Sequence, residues 1–138
     1  MPAALPTTLD PPFLAPLECV VDLPFPPSVN RVWRAQRKAD GMTVARSPEY
    51  RAWLRSADMQ AIANGTWRHR VKMPGRFTAT IELSAAMRLG DLDNRIKAVL
   101  DWAQRVELIT NDKHCEEVTA RWVTGATAEC RLTLRSVA

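Results

Sequence analysis

The chain has 138 residues, 46% of them apolar and 25% charged, which suits one globular domain with a real core. It contains no run of about 18 apolar residues, so nothing in it reads as a membrane span. The net charge of +4 favours a polyanionic partner only if the basic residues cluster.

The chain opens on prolines: Pro2, Pro6, Pro11, Pro12, Pro16, Pro24, Pro26 and Pro27. Proline removes a backbone donor and interrupts regular elements, so residues 1–15 read as an extended, poorly ordered leader and 16–138 as the domain. The leader has neither a basic start nor an apolar h-region. It is therefore not a signal peptide, and a cytoplasmic location is expected. The cysteines, Cys19, Cys115 and Cys130, show no metal-ligand spacing, which predicts reduced, buried thiols and no zinc site.

Leu17 to Leu23 predicts a first strand, bounded by prolines. PFPPSVNRVWR reads as a loop, and AQRKADGMTVAR as a basic loop or short hairpin turning at Asp40-Gly41. Ser47-Pro48-Glu49 is a helix start. Behind it Tyr50, Trp53, Leu54, Ala57 and Ala61 form one helical face, and Asn64-Gly65 ends it. Phe77 to Ala85 alternates as a strand. A second helix begins at Asp91 to Asp93, with Ile96, Val99, Leu100 and Ala103 as its buried stripe. VELIT reads as a short extended piece. Glu116 to Val123 and Ala128 to Val137 read as an antiparallel hairpin around Thr124-Gly125-Ala126. The class is α+β: a mixed β-sheet with two main α-helices packed on one face.

The stretch GDLDNRIKAVLD, residues 90–101, gathers acids at the mouth of a helix. Asp91 and Asp93 lie two apart, so in extended chain they share a side. Close carboxylates repel unless a cation or proton lies between them. Hard oxygen donors suit Mg²⁺ or Mn²⁺. Asp112 is a third candidate ligand: eight residues from Gln104 can span roughly 26 Å, enough to return along a helix roughly 16 Å long. A partner subunit could supply that carboxylate instead. Spacing leaves a plainer alternative open, in which the aspartates cap the helix, Asp93 and Lys97 form an i,i+4 surface pair, and Asp112 is a turn residue.

GDLDNRIKAVLD with Asn111-Asp112, together with PPSVNRVWR at 26–34 and SPEYRAWL at 47–54, resembles the signature of the RusA family of Holliday junction resolvases, crossover junction endodeoxyribonucleases. The likeness runs from about residue 20 to 123. It implies a homodimeric, Mg²⁺-dependent endonuclease that cuts four-way DNA junctions in recombination and repair, needing no small-molecule cofactor. Asp91, Asp93 and Asp112 match the family's essential acidic positions and Lys97 its essential lysine. Members often carry two adjacent aspartates at the later site, where this chain has Asn111. The leader has no counterpart in the family pattern.

On this reading the basic residues bind DNA backbone. Arg31, Arg34, Arg37, Lys38 and Arg46 follow the first strand; Arg68 and Arg70, with Lys72 and Arg76, follow the first helix. Asn30 and Trp33 either pack the loop or join the DNA-binding set, Trp33 then stacking on an unpaired base. His69 and His114 are bystanders. The competing reading is a junction-binding module with weak or no cleavage; a D-x-D nucleotide-sugar transferase is disfavoured by the short, arginine-rich chain.

Overall fold

The structure is a computed structural model that describes residues 15–137, except residues 32, 39, 40 and 66 and the side chains of 31–44 and 69. The predicted leader lies outside the described residues, apart from residue 15.

Strand β1 (Glu18–Leu23) alternates as expected, with Cys19, Val21 and Leu23 buried. Strands β2 (Trp33–Lys38) and β3 (Gly41–Arg46) form a separate antiparallel hairpin, Lys38 opposite Gly41. The predicted turn begins at Asp40, outside the described residues, and Gly41 already belongs to β3. Helix α1 (Pro48–Ala63) starts where its sequence says: the Tyr50 N–H donates to Ser47 Oγ at 3.1 Å, and Glu49 faces the positive end of the helix. Its buried face is the predicted one, Tyr50, Trp53, Leu54, Ala57 and Ala61. Past Asn64 the chain leaves the helix through Gly65 at φ +74°, a left-handed conformation that glycine adopts without a Cβ clash.

Strand β4 (Phe77–Ser84), helix α2 (Ile96–Arg105), strand β5 (Cys115–Val123) and strand β6 (Cys130–Ser136) follow. The main sheet has the order β1-β6-β4-β5. Strands β4 and β5 are parallel and the other neighbours antiparallel, so the sheet is mixed. Its inner face carries Val21, Leu132 and Ile81 in one register row and Leu23, Cys130 and Leu83 in the next, all buried. The outer face carries ion pairs instead, Arg131 with Asp22 at 2.8 Å and Arg121 with Glu82 at 3.0 Å. Both helices therefore cover the inner face, giving the α+β architecture read from the sequence. Among the described residues no helix is long and apolar enough to cross a membrane.

Three local expectations need correction. Strands β5 and β6 are not a hairpin, because β4 lies between them. Helix α2 provides the crossover that a parallel β4–β5 pair requires. The residues from Thr124 to Glu129 then step over β4, two strand spacings or roughly 10 Å. Alternation reveals which residues face the core, not which strand is the neighbour. VELIT is not extended: residues 106–110 form turns and bends. Leu108 and Ile109 are buried there, and their N–H groups donate to the Ala103 carbonyl. The run is apolar because it plugs the core below α2. In α2 itself Val99, Leu100 and Ala103 are buried as predicted, but so are Ala98 and Trp102, while Ile96 is only partly covered.

Cys19 and Cys130 are buried and Cys115 partly so, all three as free thiols. Burial pushes the Cys130 thiol up to about 12, so it stays protonated and unreactive.

Candidate functional site

Strand β4 hands the chain to a 3-10 turn at Ala85–Met87 and then to the acidic segment. Gly90 has φ +71°, and Asp91 follows in irregular chain. Asp93 opens a 3-10 turn, Asp93–Arg95, that runs into α2 at Ile96. Both aspartates are exposed, and among the described residues neither side chain enters a hydrogen bond or ion pair. Both stand at the N-terminal end of α2.

The i,i+4 pair of Asp93 with Lys97 is not formed. Lys97 Nζ stands 3.0 Å from Asp101 Oδ1 and 2.9 Å from Asp112 Oδ2. Hydrogen bonds from the ammonium to Asp112 and then Asp101 hold the Lys97 pKa above its ordinary value, so it stays cationic through neutral pH. Asp112 thus does return alongside α2, and its N–H donates to Gln104 Oε1 at 3.2 Å. Asp101 was not singled out from the sequence, although its place four residues after Lys97 was the available signal.

The described residues contain no close group of three or more His, Cys, Asp or Glu side chains that could enclose a metal ion. The donor chemistry nevertheless suits one. Mg²⁺ takes one or two protein carboxylates and completes its shell with waters and substrate oxygens, which Asp91 and Asp93 can provide without a closed cage.

Asn111 has a local task. Its Oδ1 accepts the Lys113 N–H at 2.9 Å and caps the 3-10 turn Asp112–His114. An aspartate caps equally well, so Asn111→Asp should leave thermal stability unchanged. For a Mg²⁺-dependent nuclease, the added carboxylate should lower the Mg²⁺ concentration for half-maximal cleavage; a Mg²⁺ titration of both proteins checks this. An unchanged requirement would mean that residue 111 lies outside the field of the ion.

The PPSVN segment is beside the acids. Ser28 Oγ accepts the Asn30 N–H at 3.3 Å, and the 3-10 turn Val29–Arg31 packs on the Asp93–Arg95 turn and on α2. Asn30 is exposed. The side chains of Arg31, Trp33, Arg34, Arg37 and Lys38 lie outside the described residues. Arg46 is exposed, its guanidinium 5.8 Å from the Tyr50 ring centroid. Arg46 and Lys97 share an open groove of about 490 Å³ with Tyr50, Asp101, Gln104 and Arg105. Of these, Tyr50, Gln104 and Arg105 were not read as site residues. Burial, then the Asp101 charge, raise the Tyr50 pKa, so the groove wall is a neutral phenol.

Arg68 is exposed. Arg70 stacks on Trp67 at 4.4 Å and donates to the Trp67 carbonyl, and Arg76 faces Glu116 at 3.6 Å. Both are partly engaged with their own surroundings. Compared with models of protein families and with curated proteins, the chain matches none.

Proposed function

We propose that this protein is a Mg²⁺-dependent, structure-specific endonuclease that resolves four-way DNA junctions, as its likeness to the RusA family implies. The observation that carries the reading is the placement of these groups along one helix. Two exposed acids, Asp91 and Asp93, stand at the start of the helix that bears Lys97, and Lys97 lies 2.9 Å from Asp112. The packing of the PPSVN turn against the same helix supports it, since both halves of the family-like signature then serve one surface.

In this reading Asp91 and Asp93 would hold the ion, and Asp112 would hold Lys97. When bound, Mg²⁺ would supply Lewis-acid polarisation of the phosphodiester and a more acidic attacking water. Lys97 brings a permanent positive charge to the phosphate as negative charge grows on it during attack. Asp101 and Asp112 hold the ammonium in place. Arg46, on the wall of the same groove, meets a neighbouring backbone phosphate. The basic segments beyond it fix the duplex arms without reading sequence.

Arg46→Ala should weaken junction binding and make the slope of log affinity against log salt shallower by about one. Fluorescence anisotropy over a salt series measures this, and an unchanged slope would remove Arg46 from the DNA contact.

A four-way junction has approximate two-fold symmetry and needs two opposed cuts. A closed homodimer supplies two equivalent sites matched to that symmetry. Light scattering should therefore give about twice the chain mass of 15.5 kDa. A supercoiled plasmid that extrudes a cruciform should be converted directly to linear product by paired cuts. A stable monomer that yields only nicked circles would overturn the resolvase reading.

A further inference from the structure

Arg95 is only 8% exposed, a rare place for a guanidinium. It lies between the two motifs. Nη1 donates to the Pro26 carbonyl at 2.8 Å and Nη2 to the Leu89 carbonyl at 2.7 Å. The guanidinium carbon is 4.9 Å from the Phe25 ring centroid, and Phe25 in turn stacks on Trp122 of β5. Gly90 beside it has φ +71°, a conformation that L side chains rarely adopt, and a Cβ there would just touch Nη2 at 3.4 Å.

The covalent path adds to this. Leu89 and Arg95 bracket Asp91 and Asp93. The bond from Nη2 to the Leu89 carbonyl closes that segment into a ring, and the Arg95 N–H to the Leu92 carbonyl, at 3.2 Å, tightens its far end. Nη1 then ties the ring to the PPSVN turn. Few side chains can do both at once. The guanidinium is a planar fork with five donors in fixed directions, whereas an ammonium is a point charge on a flexible stem.

We infer that Arg95 is the positioning residue of the acidic turn, fixing Asp91 and Asp93 against the Pro26–Arg31 turn so that acids and DNA-facing turn act as one rigid body. This rests on the nuclease reading and deepens it. Arg95 touches neither DNA nor reacting atoms; it acts through the backbone that carries the carboxylates. Misplacing a ligand by an ångström is enough to cost roughly 10²-fold in rate.

The test uses the full chain as wild type, Arg95→Lys, Arg95→Met and Gly90→Ala. The last keeps the guanidinium but strains the ring's backbone at φ +71°, so it remains informative if an Arg95 variant fails to fold. Two readouts are taken: amide hydrogen exchange across residues 28–31 and 89–93, and single-turnover cleavage of a four-way junction with its affinity measured separately. Faster exchange in both segments together is expected, with junction affinity retained and the cleavage rate down by roughly 10²-fold in the Arg95 variants. Lysine should not rescue. Exchange unchanged in folded Arg95→Lys, or faster in only one of the two segments, would overturn the clamp, as would wild-type cleavage by that variant. Wild type that cuts nothing would sink the nuclease reading instead, and the exchange data would then decide the clamp alone.

Discussion

Asp93→Asn should abolish junction cleavage while leaving junction binding intact or slightly tighter. The substitution is nearly isosteric and exposed, so the fold should not notice it. It removes an anionic oxygen donor at the mouth of α2, and neutral amides are far poorer partners for a hard dication. A loss of about 10³-fold is expected, equivalent to about 4 kcal/mol of barrier. The same change removes one negative charge facing the phosphates, which is why binding should not weaken. Asp91→Asn should behave alike. Both should need more Mg²⁺ for whatever residual cleavage remains. Near-normal cleavage by Asp93→Asn, measured on a labelled junction in saturating Mg²⁺, would end the case for an acidic metal site here.

Lys97→Met should be almost as damaging to rate but should carry the opposite metal signature. Removing a charged donor aimed at a developing anion typically costs about 10²–10³-fold. Yet the ammonium is also the partner of Asp112 at 2.9 Å and Asp101 at 3.0 Å. Without it both carboxylates are released, and Asp112 becomes a better ligand. The Mg²⁺ concentration for half-maximal cleavage should therefore fall in Lys97→Met, where it rises in Asp93→Asn. Parallel titrations separate a residue that acts on the phosphate from one that holds the ion. A raised Mg²⁺ requirement in Lys97→Met would place the lysine's main effect on the fold of the site.

Much of this was legible because it is local. The face from Tyr50 to Ala61 follows from a 3.6-residue period, and Ser47 announces α1 through a cap that forms within three residues. The inner faces of β1 and β4 follow from alternation. What escaped depends on distant chain. Trp102 lies beside the predicted stripe of α2 and is fully buried, its Nε1 donating to Asp58 at 2.9 Å, 44 residues earlier in the sequence. No period in α2 foretells that partner. The β5–β6 pairing failed for the same reason, since β4 enters between them from 38 residues before β5. In the site, the acids stood out through their spacing. The roles of Asp101, Gln104 and Arg95 did not, because a charged or amide residue in or beside a helix ordinarily faces water. Only the packing of the PPSVN turn beside the acidic segment brings the Pro26 carbonyl to Arg95 as a second partner after Leu89.

The most direct measurement of the central claim is cleavage of a synthetic mobile four-way junction compared with linear duplex of the same arm sequence, with Mg²⁺ and with the ion chelated. The purified wild-type protein should cut the junction symmetrically in two opposed strands only when Mg²⁺ is present, and should leave the linear duplex intact. Binding of the junction without cleavage in either Mg²⁺ or Mn²⁺, or equal cutting of linear duplex, would contradict the account.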